Sequence, residues 1–190
     1  MTGNDLHAFA EGIPDRDAVS RVLGHYSIAA MSWGKGGAKT LDHLAAEIRD
    51  GDSELFIDGD SLARRVRNVW VDVFVVSGTG RHHLVERRQV FYDGRTRERN
   101  LPASIGEKCK IQEDPAAAAQ RGLAEELGIE KPLSLVQAES RENPVGEPSY
   151  PGLRTVYDTY WFIAEIDPKD YKPEGYVEEQ PDKRTYFEWE

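Results

Sequence analysis

The sequence predicts a mixed α/β (α+β) domain preceded by a helical extension, and three observations carry that reading. A run dense in β-branched and aromatic residues, NVWVDVFVV at 68–76, suits a central strand. A helix with clear start and stop signals lies between Asp114-Pro115 and Gly128. Strand-like runs lie on both sides of that helix, with helical material before them. Strands, one strong helix and more strands do not make the alternating order of a doubly wound parallel sheet.

Taken in order, residues 1–19 are polar and punctuated by Gly and Pro. Residues 18–31 fit a short helix or a strand, and the pattern does not separate the two. In Thr40-Leu41-Asp42-His43, Thr40 is a good N-cap and Asp42 favours the first turn. Leu41, Leu44, Ala45 and Ile48 form one apolar face, and Gly51 ends the helix. Glu54-Leu55-Phe56-Ile57 reads as a strand, turned by Asp58-Gly59-Asp60. Residues 1–67 are therefore an N-terminal extension, with one helix near 41–50 and a short strand near 54–57; residues 68–190 are the main domain. There, Gly78-Thr79-Gly80 turns the 68–76 strand into a hairpin partner at 83–92. In the helix, Ala116, Ala119, Leu123 and Leu127 share the face that packs. Strand-like runs near 133–138 and 156–166 follow, and an aromatic run at 184–190 reads as a last strand.

The formal net charge is −10, from 34 acidic and 24 basic residues. Such a surface repels phosphate backbones, so a nucleic-acid polymer is not an expected partner. A small anionic ligand, held by a local basic pocket or through a metal, is compatible. Cys109 is the single cysteine, which excludes an intrachain disulfide and a multi-cysteine zinc site. The N-terminal residues have no apolar core of signal-peptide length. The longest apolar stretch, at 69–76, is interrupted by Asp72 and too short to span a bilayer. The expectation is a cytoplasmic protein without a membrane partner. The oligomeric state stays open, a homodimer included.

The chemistry concentrates in the segment 106–129, GEKCKIQEDPAAAAQRGLAEELGI. Glu125 and Glu126 are neighbouring carboxylates on the helix, and Arg121 stands one turn before Glu125. Two such carboxylates, at most one of them neutralised, suit Mg²⁺ or Mn²⁺. By itself an adjacent pair on an exposed helix face is ordinary solvated charge. The spacing around it is not ordinary: Glu113, Arg121, Leu123, Glu125, Glu126, Gly128 and Ile129 resemble the Nudix box, G-x5-E-x7-R-E-U-x-E-E-x-G-U, U being a bulky aliphatic residue. There are two departures. The leading glycine of the box falls at Glu107, with Gly106 one residue early, and the glutamate after the arginine is replaced by Gly122.

The resemblance implies a Nudix-like α/β/α sandwich with a mixed β-sheet. It also implies a metal-dependent hydrolase acting on a diphosphate linkage in a small phosphorylated, nucleoside-diphosphate-type substrate. Glu125 and Glu126, with Glu113, would be the metal ligands. Arg121 would orient Glu113 or Glu125, and Glu125, Glu126 and Arg121 would be the catalytic set. A base on a later loop would come from Glu139, Glu142 or Glu147. Pro144, sixteen residues past Gly128, matches a spacing of ADP-ribose-type members. Substrate anion contacts are expected from Arg87, Arg99 and Arg154; Arg87 and Arg88 alternate along one strand, so only one can face the pocket. Gly122 supports an alternative, a non-catalytic Nudix-fold module that binds a nucleotide-like ligand or a protein. A third reading is a diphosphate isomerase using Cys109, as in relatives of the Nudix enzymes.

Other signals carry less. Gly34-Lys35-Gly36-Gly37-Ala38-Lys39-Thr40 lacks the glycine directly before the lysine that a phosphate-binding loop needs. His82 and His83 point to opposite faces of a strand and cannot share a metal.

Overall fold

The computed structural model describes residues 15–78, 80–130, 134–142 and 149–190. Residues 1–14, Thr79, Leu133, Pro144 and Glu147, which some expectations concern, lie outside that set. The chain divides into two compact units: Met1–Arg67 with Lys110–Gln112 and Ser140–Asp158, and Asn68–Cys109 with Glu113–Glu139 and Thr159–Glu190.

In the first unit, helix α1 spans Arg16–His25, which decides the open choice at 18–31. Asp15 caps it, its carboxylate accepting from the Ala18 N–H at 2.7 Å. Helix α2, Leu41–Arg49, has the expected Thr40 cap, and His43 completes a capping box by accepting from the Thr40 N–H. Leu44 and Ala45 are buried, and so, unexpectedly, is Glu47. Strand β1, Glu54–Asp58, pairs antiparallel with the start of β2, Ser61–Ser77. That strand begins well before the apolar run from Asn68 because Arg64 and Arg65 find partners within the fold: Arg64 pairs with Glu47 at 2.7 Å, and Arg65 lies 4.2 Å over the Phe56 ring. Val19, Leu23, Leu44, Leu62 and Tyr150 belong to this unit's own core.

The remaining strands are β3 Gly80–Phe91, β4 Thr96–Glu98, β5 Ile105–Cys109, β6 Ser134–Glu142, β7 Arg154–Ile166, β8 Tyr176–Glu179 and β9 Lys183–Trp189. The mixed sheet runs β6-β7-β2-β3-β9-β8, with β1 and β5 also paired to β2, and β4 to β3. Alternate residues Val69, Val71, Val73 and Val75 are fully buried, as one face of a pleated strand requires. Helix α3, Pro115–Leu127, covers β5 in the second unit's core. Asp114 accepts from the N–H groups of Ala116 at 2.7 Å and Ala117 at 3.3 Å. Gly128 ends the helix in the left-handed region at φ 69°. The buried face is Ala118, Ala119, Gly122, Leu123 and Leu127, with Ala116 exposed. The expected face was therefore mis-phased at its start, because four consecutive alanines carry no periodic signal. Small residues at 118, 119 and 122 let the helix lie close on the strand.

Candidate functional site

Strand β5 sets the floor of the site. Side chains alternate along it, so Ile105, Glu107 and Cys109 share the face beneath α3. Ile105 and Cys109 are fully buried. Gly106 faces the other way, where a Cβ would come within 2.1 Å of Trp70 Cζ3. On the helix side, a Cβ at Gly122 would lie 3.2 Å from Glu107 Cβ and 3.3 Å from its Cγ.

Arg121 organises the acidic residues around it. Its Nε lies 3.2 Å from Glu113 Oε1 and its Nη2 3.3 Å from Oε2, so both oxygens of Glu113 accept from this one guanidinium. Nη2 also donates to the Lys108 carbonyl at 3.0 Å. Nη1 stands 3.5 Å from Glu107 Oε1 and 3.5 Å from Glu125 Oε2. The hydrogen bonds to Glu113, with the charges of Glu107, Glu113 and Glu125, make Arg121 hold its proton more firmly than usual.

Glu126 has the opposite surroundings. Burial, and then the charges of Glu178, Glu107, Glu86 and Glu125, push its carboxyl up to about 9. Among the described residues no cation pairs with it, whereas Glu125 is 58% exposed beside Arg121. A cavity of about 340 Å³ opens at this end of the helix, lined by Glu125, Glu126, Lys172, Tyr176, Glu178 and Glu179 among others. Lys172 is its basic residue, with Nζ 4.8 Å from the centre of the Tyr176 ring. Hard oxygen donors around an unbalanced negative centre fit a divalent cation in chemistry. They are not a finished cage: among the described residues, no three His, Cys, Asp or Glu side chains already form a metal-holding group.

The arginines expected to contact substrate are engaged elsewhere. Arg87 pairs with Glu188 and Glu190, and Arg88 with Glu188 at 3.0 Å, because β9 lies alongside β3 and sets its carboxylates there. Arg99 pairs with Glu86 at 2.9 Å. Arg154 belongs to the first unit and pairs with Asp58 at 2.5 Å. None of Arg87, Arg99 and Arg154 lines the cavity. Of the expected bases, Glu139 accepts from Gln137 Nε2 at 3.1 Å, while the Glu142 side chain and Glu147 lie outside the described residues.

Glu107, Glu178, Glu86 and Lys172 escaped the sequence reading. Glu107 had a signal: a glutamate alternating with Ile105 and Cys109 on the core face of a strand. Glu86 and Glu178 carry none, since only sheet pairing gathers β3 and β8 near the helix.

Two other arrangements are structural. Cys109 is fully buried, its Sγ 3.6 Å from the Glu113 carbonyl, and has no open face toward a ligand. Ser104, His83 and Asp72 resemble a nucleophile triad, yet the same His83 Nε2 meets Asp72 at 2.9 Å and Ser104 at 3.2 Å. A triad needs its two partners on different ring nitrogens. The buried Ser104 hydroxyl donates to the Leu84 carbonyl and accepts from the Val73 N–H, which ties β5 to the sheet.

A family model described as NUDIX domain matches residues 66–189. No curated protein matches. Among solved structures, an Ap4A hydrolase of C. elegans is similar at 13% identity over 65% of this chain and 77% of that chain, with a TM-score of 0.35. The NUDIX domain of Shewanella oneidensis NrtR, complexed with ADP ribose, is similar at 11% identity over 70% and 77%, with a TM-score of 0.40. Among the described residues no helix is long and apolar enough to cross a membrane.

Proposed function

This chain belongs to the NUDIX domain family, and on that premise we propose that it is a metal-dependent hydrolase of a diphosphate linkage in a small nucleoside-diphosphate-type substrate. The observation that carries the reading is Glu126: a carboxyl sunk among other carboxylates, on the box helix, with no cation paired to it among the described residues.

Glu126 and Glu125 would hold the divalent cation, Mg²⁺ or Mn²⁺. Bound there, it supplies neutralisation of phosphate charge and activation of a water. Glu113 stands apart from that pair. With both oxygens taken by Arg121, it is a positioning residue that holds the guanidinium against Glu107 and Glu125. Lys172 meets a phosphate oxygen of the substrate as a point charge. Glu178, in the same cavity, accepts the proton of the attacking water. An oxygen–phosphorus bond forms, the bridging phosphorus–oxygen bond breaks, and the leaving phosphate departs with the electron pair.

The test is release of a nucleoside monophosphate from a panel that includes ADP-ribose and Ap4A, with and without Mg²⁺ or Mn²⁺. Metal-dependent turnover of one member is the expected result. Saturable metal binding without turnover anywhere in the panel would replace this reading with the non-catalytic binding module.

A further inference from the structure

We infer that Glu107 and Gly122 are an exchanged pair: from strand β5, Glu107 supplies the carboxylate that helix α3 lacks at position 122. This rests on the metal-dependent reading above. The box pattern calls for glycine at 107 and glutamate at 122, and this chain carries the two residue types the other way round.

From the sequence, Gly106 could be that glycine displaced by one residue, and Gly122 a simple loss. The geometry assigns Gly106 to another task, since Trp70 occupies the space its side chain would need. Glu107 is on the opposite face of the strand, between the fully buried Ile105 and Cys109. Its neighbours along that face are apolar, while its own side chain is only partly buried. Its Cβ and Cγ run past Gly122, within 3.2 and 3.3 Å of where a Cβ would stand. Glutamates at both positions would claim one volume, and glycines at both would leave a void.

Position 122 is one turn before Glu126, so the two share a face of the helix. A carboxylate rooted at 107 runs past Gly122, and its charge is felt at Glu126. Its Oε1 accepts from the Lys108 N–H at 2.8 Å and lies 3.5 Å from Arg121, the guanidinium that also holds Glu113 and Glu125. Arg121 therefore joins Glu107 to the acidic residues of the box helix.

Mn²⁺ binding to the full chain, followed by electron paramagnetic resonance of the free ion, tests this without substrate or turnover. Glu107→Gln keeps the side-chain shape and is expected to weaken binding about tenfold or more. Glu107→Gly should lose a comparable amount, and adding Gly122→Glu to it should return affinity to near the wild-type value. Wild-type affinity in Glu107→Gln would overturn the exchange. So would a double variant, folded by circular dichroism, that binds no more tightly than Glu107→Gly. Absence of saturable Mn²⁺ binding in the wild type would overturn the functional reading itself, and this inference with it.

Discussion

Two glutamates, one on a helix of each unit, meet opposite surroundings. Glu47 on α2 is 8% exposed, yet Lys39 Nζ lies 2.5 Å from one of its oxygens and Arg64 Nη2 2.7 Å from the other. Burial pushes its carboxyl up, but the hydrogen bonds and charges of Lys39 and Arg64 outweigh that and leave it below the usual range. Glu126 on α3 is also withdrawn from water, and its neighbours push in the same direction as burial, up to about 9. The first unit neutralises its sunken acid from within. In the second, no cation among the described residues pairs with Glu126.

The largest effect that would break this contrast lies in the first unit. Arg64→Met is expected to destabilise by about 3–5 kcal/mol, because it leaves Glu47 buried with only the half-exposed Lys39. Urea unfolding reads this directly, and a loss below about 1 kcal/mol would mean that Glu47 is not held by the pair.

Next comes Glu126→Gln, for which the two readouts should move in opposite directions. Hydrolytic activity should fall about 100-fold or more, equivalent to ~2.7 kcal/mol of transition-state stabilisation. The metal-free protein should become more stable, by roughly 1–2 kcal/mol, because an acid that no cation pairs with among the described residues is replaced by a neutral group. A destabilised, fully active variant would show that Glu126 is merely structural.

The pH dependence separates the two glutamates by sign. Glu126 holds its proton in the folded state up to about 9, against an ordinary 4.5, so its contribution is complete below 4.5 and is lost as pH rises toward 9. Glu47 is lowered, so its contribution is present above 4.5 and is lost as pH falls through its folded value. In chelator, melting temperature should therefore decline between about pH 5 and about pH 9, and Glu126→Gln should remove most of that slope. A slope unchanged in the variant would assign it to other groups.

The smallest effect sharpens the view of Gly122. Alanine gains helix propensity of about 1 kcal/mol, but its Cβ presses on the Glu107 methylenes, so Gly122→Ala should change stability by less than about 1 kcal/mol. With Glu107→Gly in the same chain the propensity gain should appear in full. Equal effects in both backgrounds would mean that the two positions do not touch.

Helix α3 was legible because its signals are local: Asp114 and Pro115 at one end, Gly128 at the other, and a spaced pattern between. Helix α2 was legible for the same reason, through Thr40. The start of β2 was hidden by Arg64 and Arg65, whose charges are answered by residues distant in sequence, Glu47, Glu54 and Asp158. The acidic neighbours of Glu126 divide in the same way. Glu125 lies beside it on the helix, whereas Glu86 and Glu178 come from strands that no local pattern brings together. Arg87 illustrates the converse. Its position in a strand was readable, but not the β9 carboxylates that claim it.

The indole of Trp70, seated on Gly106, gives the site an optical readout. Trp161 lies 5.9 Å away, ring to ring, at a 34° tilt, so the two chromophores sense each other as well as the strand beneath. Glu107 is the very next residue, so a ligand held by its carboxylate would act on the strand against which the indole packs. Ultraviolet emission, or near-ultraviolet circular dichroism of the coupled rings, would then follow occupancy of the acidic face in real time, with no label attached. Trp33 belongs to the other unit, so Trp33→Phe would leave tryptophan emission drawn entirely from the unit that carries helix α3.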